Sequence, residues 1–368
     1  MAQNYGSLVV RILLQPTEEA ARLLFSKQGQ ALKTATSAAA KANIVQDGHH
    51  ASAASVGSSS KSRNKDGANE ERHGHTSRIS SKLAEAERAA IAAAMATSLA
   101  LLLKAVSLLG LVVLSFGPPF VPSLLILLPG ERWAAVPEAT STLQWYCGYI
   151  CTLALNGSLE AFVYATADER QVGWLTVAHL VFSGLFAAST LPAMAALGTA
   201  GVVAANALVM ACRATYAAVV SGRFLAARGA RLAPSRCLPR APVLAALATA
   251  ALASHWSEAG RASGASAAVF TRAFLTFLPT SSSGRIMNTL AMLQGSGGKG
   301  SKAAVLFGVA LHMGVGVAAL GGVVAAVVKF EGHTLAEFRT LTVAAKQEQA
   351  EGTGLGAPEA LADAKKKN

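Results

Sequence analysis

The stretch from Ala89 to Phe116 carries a single charged side chain, Lys104, in 28 residues. As a helix rising about 1.5 Å per residue it exceeds the ~20 residues that cross a bilayer core. A run this long and apolar has no place in an ordinary soluble domain. Similar runs recur at Leu143–Ala165, Gln171–Leu191, Gly198–Ser221 and Ala303–Val328, with a shorter Ala-rich one at Pro242–Trp256. Together with residues 4–27 they make about seven transmembrane helices by the hydrophobic-length criterion. The chain therefore reads as an all-α, polytopic membrane protein. Its 52% hydrophobic and 14% charged residues, and a mean hydropathy of +0.41, agree.

The excess of 32 Lys+Arg over 20 Asp+Glu would suggest nucleic acid in a soluble protein. Here it reads as basic loops beside anionic lipid, since interleaved aromatics and RNA-binding signatures are absent, and no nucleic-acid partner is expected. The segment Arg223 to Arg240 holds Arg223, Arg228, Arg231, Arg236 and Arg240 with no acid, which places it in the cytosol. Alternating spans then put the amino terminus in the lumen and the tail in the cytosol. No cleavable signal peptide is expected at the start. The four cysteines form no disulfide framework; Cys147 and Cys151 read as small buried apolar residues, and Cys237 as a basic-loop cysteine open to acylation.

Four regions follow. Residues 4–27 form a charged-stripe helix; residues 28–87 form an Ala/Ser/basic loop expected to be disordered, its distal end Leu83–Ala94 already helical. Residues 88–328 form a transmembrane helical bundle, interrupted by a Ser/Gly-rich loop at 257–302 whose apolar island Val269–Leu278 is too short to span. Residues 329–368 form a cytosolic tail. Gly117-Pro118-Pro119 is expected to end the second span. Helices flanking Asp168-Glu169-Arg170 are expected to be antiparallel neighbours. Gly308, Gly314, Gly316, Gly321 and Gly322 suit close helix approach in the last span. His49, His50, His73 and His75 read as solvated loop residues, so no metal and no cofactor are expected.

Polar groups inside apolar helices are the candidates for function, because an ion in lipid costs roughly 3 kcal/mol or more. Arg11, Gln15, Glu18, Glu19 and Arg22 recur at helical spacing around Pro16, which should loosen the helix. That helix either spans with its charges toward a water-filled cavity or lies on a membrane or protein surface. Lys104 has a stem long enough to reach a cavity or the interface. Glu160 and Arg213 lie deep in apolar sequence and require partners, Asn206 shares the Arg213 face seven residues earlier, and Asn156 is too deep to be glycosylated. His179 and His312, each alone on an apolar helix, read as packing residues with satisfied ring nitrogens.

Three windows carry a family resemblance: NYGSLVVRILLQPTEEAARLLFSK at 4–27, WYCGYICTLALNGSLEAFVYA at 145–165, and LGTAGVVAANALVMACRATYA at 197–217. They resemble successive segments of the eukaryotic dolichol-linked oligosaccharide translocation family, Rft-type, within the multidrug/oligosaccharidyl-lipid/polysaccharide exporter superfamily. KFEGHTLAEFRTL after the last span is similar to that family's ending. The resemblance covers the carboxy-terminal half of the family pattern, so the seven helices would correspond to the second lobe of a two-lobed flippase-like fold. The chain is then either a fragment, or a truncated relative whose single lobe has no partner to alternate against.

The resemblance implies a transporter rather than an enzyme, sited in the endoplasmic reticulum membrane. It would move, or help to move, pentamannosyl-chitobiosyl-diphosphodolichol toward protein N-glycosylation. Arg11 and Arg213, and more weakly Lys104, would contact the diphosphate. Glu18, Glu19 and Glu160 would hold the arginines, bond sugar hydroxyls or gate the cavity; Gln15, Arg22, Asn156 and Asn206 complete the expected substrate-binding set. Membrane lipids, glycosylation-pathway proteins and a retrieval coat reading Lys365 and Lys366 are the further expected partners. A cation-coupled exporter of the same superfamily and a non-transport scaffold of the glycosylation pathway remain as alternatives.

Overall fold

The computed structural model describes residues 15–56, 67–128, 131–263 and 302–352. These form nine helices: α1 Gln15–Val56, α2 Gly67–Leu127, α3 Glu131–Ala134, α4 Pro137–Thr166, α5 Glu169–Leu197, α6 Ala200–Ala226, α7 Pro234–Cys237, α8 Ala241–Ser263 and α9 Lys302–Gly352. No strand occurs among the described residues.

α4 is the organising helix, packed by α1, α2 and α6, while α8 and α9 pair with each other and dock on α2. Its Phe162 is fully buried and meets Phe25 of α1 edge-on at 5.1 Å and Phe224 of α6 at 5.9 Å between ring centroids. Aromatic pairs of this geometry add about 0.5–1.5 kcal/mol beyond the area they bury. Met95, Leu99 and Leu103 of α2 complete the same cluster. Gly29 of α1 lies so close to α4 that an added Cβ would collide with the Ala165 carbonyl, so only glycine permits that approach. α8 and α9 build a second cluster from Val243, Leu247, Ala250 and Val323.

Among the described residues, four helices are long and apolar enough to cross a membrane by themselves: Lys82–Leu127, Glu169–Leu197, Ala200–Ala226 and Gly308–Thr340. The chain is thus a polytopic helical membrane protein, but α1, α4 and α8 fall short of that criterion. For α4 the reason is its position. A helix wrapped by protein need not be apolar all round, and α4 carries Asn156, Ser158 and Glu160 toward its neighbours. α5 is the converse, exposing Leu180, Val181 and Leu191 and burying only Leu175, as suits a lipid-facing helix.

Several boundaries differ from expectation. The helix expected to stop at Lys27 continues to Val56, and a further helix begins at Gly67, so the Ala-rich composition of 28–87 supports helix where it is described. α9 runs past residue 328 to Gly352. α4 and α5, joined by a two-residue turn, both pack chiefly on α6 rather than on each other. Pro16 falls in the first turn of α1, where a missing N–H is harmless. Of the last-span glycines, Gly316 packs against Phe120, while Gly314, Gly321 and Gly322 meet nothing nearby. Residues 264–301, which include Val269–Leu278, and the Lys365–Lys366 signal lie outside the described residues.

α2 also continues through Pro118, Pro119 and Pro122 to Leu127. A proline at 122 cannot donate to the carbonyl four residues back, which is that of Pro118. The Gln144 side chain of α4 donates Nε2 to that oxygen at 3.0 Å. His312 Nε2 of α9 donates to the Pro119 carbonyl at 3.1 Å while Ser257 Oγ lies 2.9 Å from its Nδ1, so this histidine is a satisfied packing residue, as the sequence suggests. Phe120 stacks on its ring at 4.0 Å between centroids. The Gln144 side chain of α4 thus replaces the donor that Pro122 removes, while His312 of α9 adds a second bond at the next carbonyl. Substituting Gln144→Leu strands the Pro118 carbonyl and should lower stability by about 1–3 kcal/mol. The expected readout is a lower thermal midpoint of the detergent-solubilised protein; an unchanged midpoint would mean that the carbonyl has another donor.

Candidate functional site

The site follows from a carboxylate on the central helix. Glu160, on α4 two residues before Phe162, turns toward α5 and α6, where Arg213 Nη2 reaches its Oε1 at 2.8 Å and Arg213 Nε at 3.1 Å. His179 Nε2 lies 3.1 Å from the same oxygen and 3.4 Å from Arg213 Nη2. One carboxylate oxygen therefore ties three helices. Glu160 is 16% and Arg213 25% exposed, so the pair is partly screened from water and its attraction is stronger than that of a surface bridge. Arg213 Nη1 takes no part in the contact.

α1 brings a second carboxylate. Glu18 is half-buried, senses the charges of Arg22 and Glu160, and rests where Gly157 of α4 leaves room. Any larger residue at 157 would occupy the space of the Glu18 carboxyl. Asn156, beside Gly157, is 3% exposed and its Oδ1 has no hydrogen-bond partner. An unpaired buried amide oxygen costs about 1–3 kcal/mol, so a ligand or water hydroxyl donating to it would recover that cost. Further along α4 and α6, a cavity of about 390 Å³ is lined by Thr142, Tyr146, Tyr149, Thr199 and Asn206. Hydroxyls, an amide and two aromatic rings surround it, with Thr142 and Thr199 bonded at 3.2 Å and the two tyrosine rings in edge contact at 5.3 Å.

The structure thus pairs Glu160 with Arg213, sets Glu18 against Gly157, buries Asn156 four residues before Glu160 on α4, and places Asn206 on the neighbouring cavity. It separates the others. Gln15, Glu19 and Arg22 are exposed on α1, with Gln15 Nε2 donating to Glu19 at 3.1 Å. The buried face of α1 is Ala21, Phe25 and Leu32, so the polar stripe divides, and Glu18 alone of these packs on α4 beside Gly157. Arg11 lies outside the described residues. Lys104 serves elsewhere: its Nζ donates to Glu331 Oε2 of α9 at 3.0 Å, while Glu331 Oε1 accepts the Arg240 backbone N–H at 2.7 Å. That clasp holds α2, α9 and the start of α8. His179, read from the sequence as a packing residue with satisfied ring nitrogens, finds its partners on α4 and α6, which its own helix does not reveal. Among the described residues no group of His, Cys, Asp and Glu is arranged to hold a metal. Cys237, in α7, has its thiol pushed above the ordinary range by burial, with the Lys104 charge opposing.

Gly157→Ala tests the α1–α4 contact. The added methyl displaces the Glu18 carboxyl and should cost about 1–3 kcal/mol, with faster amide hydrogen exchange along α1. Unchanged exchange in α1 would show that Glu18 does not anchor it.

Comparison with known proteins follows the same helices. The chain is 34% identical over 172 residues to the Man(5)GlcNAc(2)-PP-dolichol translocation protein RFT1 of Schizosaccharomyces pombe, covering 44% of this chain and 31% of that protein. It is 31% identical over 115 residues to the protein of the same name from Drosophila melanogaster, covering 31% and 21%. For the Saccharomyces cerevisiae protein of that name the identity is 31% over 118 residues, covering 32% and 20%. The chain therefore spans less than a third of the length of these curated relatives. No solved structure matches it. The family model described as Rft protein matches residues 1–49 and 74–288, which take in α4, α5, α6 and the Glu160–Arg213 pair, and the chain belongs to the Rft family.

Proposed function

We propose that this chain contributes to moving a dolichol-diphosphate-linked oligosaccharide across the endoplasmic reticulum membrane, or to assisting that step, for protein N-glycosylation. The reading rests on its relatives' printed names and on one structural observation: a shared Glu160–Arg213–His179 contact joining three helices of an apolar bundle. A diphosphate and its glycan cannot cross hydrocarbon unaided, and an arginine inside the bundle supplies the compensating charge. In this state Arg213 is held by Glu160. An entering diphosphate competes for the guanidinium, and Glu160 then retains His179 as its partner. Glu18 of α1 and Asn156 of α4 lie on the two sides of the α1–α4 contact at Gly157 and offer acceptors to sugar hydroxyls. Tyr146, Tyr149 and Asn206 add ring faces and an amide in the adjoining cavity.

The exposed Gln15, Glu19 and Arg22 stand apart from the Glu160–Arg213 pair, on the outer side of α1. Lys104 is assigned to bundle assembly through Glu331 rather than to the diphosphate. The tail faces the cytosol, where Lys365 and Lys366 are available to a retrieval coat. The activity is transport, with no covalent chemistry on the ligand.

The test is the lipid-linked glycan profile of cells that depend on this chain. With Arg213→Ala the five-mannose lipid intermediate should accumulate several-fold and the longer lipid-linked glycans should fall. A normal profile from a stably expressed variant would refute the role assigned to Arg213 and with it this reading.

A further inference from the structure

The ends of α4, α5 and α6 that adjoin the 223–240 arginine segment enclose a second groove, of about 400 Å³, distinct from the tyrosine-lined cavity. Gln171, Trp174, Tyr216, Arg223, Phe224 and Arg228 are among its lining residues, and none of the residues lining it is acidic. The volume falls within the roughly 300–1,000 Å³ usual for small-molecule sites. Arg228 is pre-positioned: its guanidinium lies 3.6 Å from the Phe224 ring centroid and its Nη1 donates to the Phe224 carbonyl at 3.1 Å. Burial lowers its pKa from the ordinary arginine value, and the opposing influence is the carboxylate of Asp168 at the head of α5. Arg223 is exposed, and Trp174 is 62% exposed on the outer helix.

Cations and aromatics are therefore arranged as at a membrane interface. Trp and Tyr rings sit at the headgroup level, and basic pockets between transmembrane helices capture lipid phosphates. The guanidinium fork suits phosphate oxygens better than a point charge would. Arg223 and Arg228 both line the groove and supply it with two guanidinium groups, and on the translocation reading the matching anion is the two-phosphate headgroup of the lipid. Arg213 lies ten residues before Arg223 on α6, about 15 Å along the axis.

We propose that this groove binds the diphosphate headgroup of a polyprenyl-type lipid. Arg223 and Arg228 clasp the phosphates and Trp174 flanks the first hydrocarbon segment, so the ligand is held at the end of the helix that carries Arg213. The inference deepens the translocation reading and rests on it for the identity of the lipid. It adds a site that the candidate residues of the sequence do not include.

The test uses the purified full chain in phosphatidylcholine nanodiscs, titrated with dolichyl diphosphate bearing no sugar. Retention is measured by native mass spectrometry, and occupancy by tryptophan emission, whose response Trp174→Phe should abolish. The expected result is saturable binding, weakened at least tenfold by Arg223→Gln combined with Arg228→Gln, and not displaced by equimolar phosphatidylserine. Arg223→Gln alone, at an exposed position, gives the same direction if the double variant does not fold. Wild-type binding by the double variant, displacement by phosphatidylserine at equal concentration, or no binding by the wild type would overturn the proposal. No sugar and no transport enter this measurement. A normal glycan profile for Arg213→Ala would defeat the translocation reading without altering this result, and failure here would leave that profile unchanged.

Discussion

The bundle depends on one carboxylate oxygen. Glu160 Oε1 is shared by Arg213 and His179, so α4, α5 and α6 meet at a point where none of the three could leave its polar group alone. An isolated ion of this kind is costly in an apolar surrounding, and the cost is what makes the pairing specific. α5 illustrates the consequence. It buries almost nothing, turns its apolar side chains outward, and packs chiefly on α6, so the His179 bond to Glu160 and a ring contact between Phe182 and Tyr216 fix its rotation. Glu18 of α1 occupies the space left by Gly157, within electrostatic reach of the same carboxylate.

The same logic recurs away from this point. Three prolines lie within α2, and Gln144 bonds the Pro118 carbonyl that Pro122 leaves without its helical donor, while His312 ties the next carbonyl to α9. Lys104 and Glu331 pair residues from α2 and α9, and the second oxygen of Glu331 takes the backbone N–H at the start of α8. Glu160, Gln144, Lys104 and His312 are thereby joints between different helices of the bundle. Dispersion contacts between aliphatic faces hold the helices together, while these joints select their register.

Much of this was legible in the residues. The length of the apolar runs specified helices and a membrane, and the depth of Glu160 and Arg213 marked both as needing partners. Other features were not legible, for definite reasons. Nothing local to His179 shows that α6 will bring an arginine to it, so its solitary position on an apolar helix read as packing. Gly117-Pro118-Pro119 read as a terminus because the rescue comes from a side chain 26 residues away. Spacing placed Gln15, Glu18, Glu19 and Arg22 on one stripe, but the packing of Phe25 against Phe162 rotates α1 so that Glu18 meets α4 and the rest face outward. Lys104 had several reachable partners, and the one it found lies 227 residues on.

The most direct measurement is a double-mutant cycle on Glu160 and Arg213, with Glu160→Gln, Arg213→Gln and the pair together unfolded reversibly in detergent. A favourable coupling energy of about 2 kcal/mol is expected for a partly buried, hydrogen-bonded pair. Additive effects, with coupling below about 0.5 kcal/mol, would contradict the central role of the shared carboxylate.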